Sequence, residues 1–156
     1  MTYCVALTLN AGMVFASDSR TNAGVDHVSS FRKMRVFSRD GDRVIVILSS
    51  GNLSVTQSAI NLLAEDQRDP GAKRTLYDAK SMYEVAEMVG QALRDVRERD
   101  GAYLLQANVD AGASFIVGGQ IKGGRMRLFQ VYTEGNFIES TAETTYFQIG
   151  ESKYGK

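Results

Sequence analysis

Short runs that are apolar or alternate, separated by turn and loop residues, fill the first fifty residues, and the period then changes. Thr2 to Leu9 is short, β-branched and apolar, Asn10-Ala11-Gly12 supplies turn chemistry, and Met13 to Asp18 resumes the run. This spacing predicts a hairpin. Arg20 to Ser30 is polar, with Asn22, Gly24 and Asp26, and is read as a loop. Lys33 to Arg39 and Arg43 to Ser49 flank Asp40-Gly41-Asp42 and predict a second hairpin across a DG turn.

After Gly51 the apolar positions Leu53, Val55, Ile60, Leu62 and Leu63 recur at helical spacing through Glu65. Asp66 to Gly71 is charged and contains Pro70, which predicts a helix end and a loop. Ser81 to Arg99 carries the clearest helical pattern: Val85, Met88, Val89, Ala92, Leu93 and Val96 share one face, and Ser81 with Glu84 makes a capping box. Past Gly112, strands are predicted at Ser114 to Ile121, Met126 to Tyr132, Phe137 to Ser140 and Tyr146 to Ile149. Four strands, two helices and four strands in that order predict a layered α+β domain, not a parallel doubly wound sheet. Two helices are too few to cover every sheet face, so a partner or a further stretch of chain is expected to do so.

Composition adds limits more than detail. A chain of 156 residues is expected to form one domain over 1–156 with a sizeable core. Lys plus Arg equals Asp plus Glu at 18 each, so no global field attracts nucleic acid or an anionic membrane. The single cysteine, Cys4, permits no internal disulfide and suits a reducing cytoplasm. No basic segment precedes the first apolar run, and no apolar stretch approaches 18 residues, so neither secretion nor a membrane span is expected.

The candidate chemistry starts at Thr2. Removal of Met1 would leave an α-amine beside a hydroxyl on one residue, and an α-amine titrates at roughly 7.7–8.0, low enough to accept the hydroxyl proton. Many chains begin Met-Thr, so this signal alone is weak. Asp18-Ser19-Arg20 and Lys33 are ordinary strand-end residues unless the first three strands are neighbours; then Asp18 and Lys33 converge beside Thr2 and favour alkoxide. Gly51 is either a plain strand-to-helix turn or an oxyanion donor at a helix start. His27 lies in a polar loop, Cys4 reads as a small core residue, and one His with one Cys builds no thiolate or imidazole zinc site. The Gly-rich stretches lack a following Lys-Ser/Thr and read as turns.

Thr2, Asp18-Ser19-Arg20, Lys33, Ser50-Gly51 and Ile149-Gly150 together resemble the β-type subunits of proteasomes and the HslV-like peptidases, which are N-terminal-nucleophile hydrolases. The stretch from Ala16 to Asp26, followed by Phe31-Arg32-Lys33-Met34, is most similar to the bacterial ancestral β-subunit (Anbu) branch. The resemblance implies a four-layer αββα sandwich, of which this chain would lack the C-terminal helices and strands. It implies Thr2 as nucleophile, Asp18 and Lys33 as its supporting charged pair, and Gly51 as oxyanion donor. Thr21, Asn22 and Ser50 would align substrate, with Arg20 and Ser152 in support; no cofactor or metal is implied. The expected function is threonine-type hydrolysis of peptides or unfolded protein inside a cytoplasmic homo-oligomer, with any ATPase partner unspecified. The alternatives are an amidase acting on a small amide and a non-catalytic assembly subunit.

Overall fold

A computed structural model describes residues 2–22, 28–66, 68–72 and 74–151. The first hairpin is β1 (Tyr3–Leu9) and β2 (Gly12–Ser17), joined antiparallel with Cys4 opposite Ser17 and Leu9 opposite Gly12. The segment read as a loop instead contains a short antiparallel pair, β3 (Arg20–Asn22) and β4 (Val28–Ser30). Three residues per strand are too few for alternation to reveal. The second hairpin is as expected: β5 (Met34–Arg39) pairs with β6 (Arg43–Gly51).

Helix α1 (Leu53–Asp66) starts on a cap that the sequence reading passed over. The Asn52 side-chain oxygen accepts from the backbone N–H groups of Ser54 and Val55 at 3.0 and 3.2 Å, satisfying donors that a helix start otherwise leaves open. Helix α2 (Met82–Gln106) is N-capped by Ser81, whose hydroxyl accepts from Glu84 N. The Glu84 carboxylate reaches back to Lys80 N at 2.6 Å, one residue earlier than a regular capping box requires. This helix runs past the expected Arg99 to Gln106, because Leu104 returns to the core side one turn beyond Gly101.

Strands β7 (Ala113–Ile121), β8 (Arg127–Val131), β9 (Phe137–Glu139) and β10 (Tyr146–Gly150) complete the described elements. A five-stranded antiparallel sheet has the order β5-β6-β7-β8-β9, and a three-stranded sheet has the order β10-β1-β2. Successive residues of a strand face opposite ways. In β6, Ile45 and Ile47 therefore pack on the helices with Val55, Val85, Val89 and Leu93, while Val46 and Leu48 pack on Cys4, Ala6, Phe147 and Ile149 of the smaller sheet. Burial on both faces explains why β6 reads as a continuous apolar run. The layers are helices, large sheet, small sheet, an α+β arrangement.

The helical layer touches the large sheet's far end backbone to backbone. A Cβ on Gly90 of α2 would collide with the carbonyl oxygen of Gly135, and one on Gly135 with that of Gly90. Arg94 Nε donates to Glu134 O beside this contact at 3.0 Å, and Arg97 Nη1 donates to Thr133 O at 2.9 Å. The turn between β8 and β9 is thus fastened onto α2.

Candidate active site

Residue 2 sits immediately before β1, where the smaller sheet's central strand begins. β10 lies on one side of that strand, with Tyr3 opposite Gly150 and Glu151 N donating to Thr2 O at 2.7 Å. On the other side β2 ends and delivers Asp18. The Asp18 N–H donates to Tyr3 O at 3.1 Å, and Tyr3 N–H donates to Asp18 Oδ1 at 2.9 Å. Asp18 is therefore tied by main chain and side chain to the residue following Thr2.

The other carboxylate oxygen of Asp18 accepts from Lys33 Nζ at 2.7 Å. Lys33 is 5% exposed and Asp18 is 37% exposed, so the ammonium is buried and the carboxylate half-open. Lys33 is held in place through its own backbone, since its carbonyl accepts from Ser49 N at 2.9 Å. The pair thus sets a buried Lys33 side chain against a carboxylate that is itself fixed to the backbone of Tyr3.

Gly51 ends β6 with φ +103°, a left-handed conformation that L side chains rarely adopt. A Cβ there would strike the carbonyl of Gly112 and the Cα of Ala113. The neighbouring Asn52 N donates to that same Gly112 carbonyl at 2.8 Å. Gly51 is thus required by conformation and by space, and the following helix α1 adds the positive end of its dipole. Ser50 is buried in β6 opposite Ser114.

Cys4 lies one alternation step inward from Thr2 and is fully buried, as expected of a core residue. Its thiol donates to Ser49 O at 3.5 Å. Burial pushes it from an ordinary 9.0 up to about 12; the Asp18 carboxylate adds to the rise and Lys33 opposes it. It is an inert thiol.

The fold therefore brings Asp18 and Lys33 together next to residue 2 and places Ser50 and Gly51 at the end of β6, the large-sheet strand that packs against β1. Arg20, Thr21 and Asn22 form β3, paired with Ser30, Ser29 and Val28 in turn. Ser152 and His27 lie outside the described residues. Among the described residues, no group of His, Cys, Asp and Glu could hold a metal ion. Tyr3 and Gly112 shape the site yet escaped the sequence reading, because both act through backbone atoms that carry no residue-type signal.

No protein-family model matches the chain, and no curated protein does. Solved structures do. The chain is similar to Anbu (ancestral beta-subunit) from Yersinia bercovieri, with 51% identity and a TM-score of 0.89 over 99% of this chain and 62% of that one. It is similar to a Pseudomonas aeruginosa Anbu complex described as a helical assembly, with 47% identity and a TM-score of 0.91 over 98% of this chain and 62% of that one. Anbu from Hyphomicrobium sp. strain MC1 matches at 46% identity and a TM-score of 0.87, over 98% of this chain and 62% of that one. The chain spans about 62% of the length of these relatives. With this level of identity across nearly all of its own length, the chain resembles the Anbu, or ancestral β-subunit, proteins in sequence and in fold.

Proposed function

We propose that the chain carries the nucleophile-bearing part of a threonine-type peptidase, with Thr2 as the attacking residue once Met1 is removed. The observation that carries this reading is the Asp18–Lys33 pair anchored to the backbone of Tyr3. Thr2 Oγ attacks the peptide carbonyl, and the Thr2 α-amine takes the hydroxyl proton. The negative oxygen of the tetrahedral intermediate rests on the Gly51 N–H. The C–N bond then breaks, the amine returns its proton to the leaving nitrogen, and an ester remains on Thr2. Water, deprotonated by the same amine, hydrolyses that ester and frees the enzyme. Lys33 lowers the cost of the alkoxide, and Asp18 holds Lys33.

Thr21, Asn22 and Ser50 align the substrate main chain as an added strand, and Arg20 and Ser152 support the site. We further propose a homo-oligomer in the cytoplasm, in keeping with the helical assembly of the Pseudomonas relative. The whole protein would be a four-layer αββα sandwich. Val14, Tyr146 and Leu7 leave an apolar outer face on the smaller sheet, which is what a second helical layer would cover.

The test is covalent labelling by an electrophilic peptide, read by intact mass. Wild type is expected to gain one adduct on a chain that has lost Met1, and Thr2→Ala to gain none. Equal labelling of the two, or retention of Met1 on the labelled chain, defeats the proposal. Turnover of small amides but not of peptides would move the assignment to an amidase.

A further inference from the structure

We propose that Arg32 and Arg35 form a carboxylate-binding wall, so that the site prefers peptides with Asp or Glu next to the bond to be cut. This rests on the reading of Thr2 as nucleophile. The two arginines stand apart from the rest. Every other arginine whose side chain is described is engaged, either with a carboxylate, as Arg43, Arg74 and Arg127 are, or with a backbone carbonyl, as Arg94 and Arg97 are. Among the described residues, Arg32 and Arg35 make neither an ion pair nor a side-chain hydrogen bond. Both are exposed, one on each side of Lys33 and the backbone turn into β5.

Their position gives the vacancy meaning. Arg32, Lys33 and Arg35 line a cleft of about 620 Å³ that they share with Asp18. The same three line a second cavity against α1, whose polar wall is Ser49, Thr56, Gln57 and Asn61 and which contains no carboxylate. In the first, Arg32 and Arg35 share the cleft with one carboxylate, Asp18, which is already bonded to Lys33; in the second, the two arginines face no carboxylate. Like charges so placed repel each other, and the repulsion is relieved by an anion from outside. A guanidinium fork matches a carboxylate in two parallel hydrogen bonds, which a hydroxyl or an amide side chain does not equal. A cleft of hundreds of Å³ has room for an acidic side chain. Because Lys33 lines both cavities, a side chain held there sits beside the Asp18–Lys33 pair.

Two peptide vinyl sulfones that differ only by Glu or Gln at the residue beside the electrophile test this on the full-length protein. The rate of adduct formation on Thr2 is followed by intact mass. The Glu probe is expected to react about tenfold faster than the Gln probe, the size of two solvent-facing charge contacts. In Arg32→Gln/Arg35→Gln that ratio is expected to fall to about one, and in Arg35→Lys to stay above one, since charge remains without the fork. A ratio near one in the wild type, or an unchanged ratio in the double variant, overturns the inference and leaves the Thr2 assignment standing. Failure of both probes to label wild type overturns the Thr2 assignment and this inference with it.

Discussion

Cys4 lies in β1 and Thr2 immediately before that strand, two residues apart, yet their surroundings part them. The thiol is buried against Ser49 and pushed up to about 12, so it is expected to resist a disulfide-exchange reagent at about pH 8 until the chain unfolds. The same displacement has a sign. Below the ordinary 9.0, folded and unfolded chains both hold the proton and the burial of Cys4 stabilises in full. Between 9.0 and about 12 only the unfolded chain ionises, so stability falls as pH rises through that window. Denaturant midpoints at about pH 8 and about pH 10.5 should therefore differ less in Cys4→Ala than in wild type. The Asp18–Lys33 pairing and the turn at Gly51 were legible because the first is made by side chains and the second by having none. The bonds from Tyr3 N and O to Asp18 were not legible, since every residue but proline has the same backbone groups.

Helices and long strands announced themselves through period. α2 was evident from its apolar face, and β6 and β7 from unbroken apolar runs sandwiched between two layers. The β3–β4 pair was not evident, because three paired residues per strand display no period to read. Nor did the sequence signal how α2 meets the β8–β9 turn, a contact made by what two glycines lack. Gly90→Ala is expected to push α2 off the Gly135 carbonyl and to cost about 1–3 kcal/mol in chemical denaturation, the range for inserting a methyl into filled space. The neighbouring Gly101→Ala, where nothing lies within 4 Å of the added carbon, is the control and is expected to be neutral or slightly stabilising.

Across the molecule, the Asp18–Lys33 pair joins the smaller sheet to the large one: Asp18 follows β2 of the first, and Lys33 precedes β5 of the second. Asp18→Asn removes a full charge from beside a buried ammonium. The expected loss is about 2–3 kcal/mol, below the range for a fully buried pair because Asp18 is partly open to water. Replacing both partners, Asp18→Asn with Lys33→Met, should recover much of that loss, since an apolar group no longer needs a counter-charge; urea midpoints of the wild type and the two variants decide it. The alternation that predicted β1 and β2 could not say that these strands lie across from β5 and β6, because which sheet packs on which is settled by the two cores together.

Tyr3 pairs with Gly150, and Thr2 O is held by Glu151 N. Tyr3 and Gly150 stand 147 positions apart in the chain. The β5–β6 hairpin and the β7–β8–β9 meander pair strands close in sequence, whereas β1 keeps one edge open until β10 reaches it. Among the described strand pairs, the one beside residue 2 closes the longest loop.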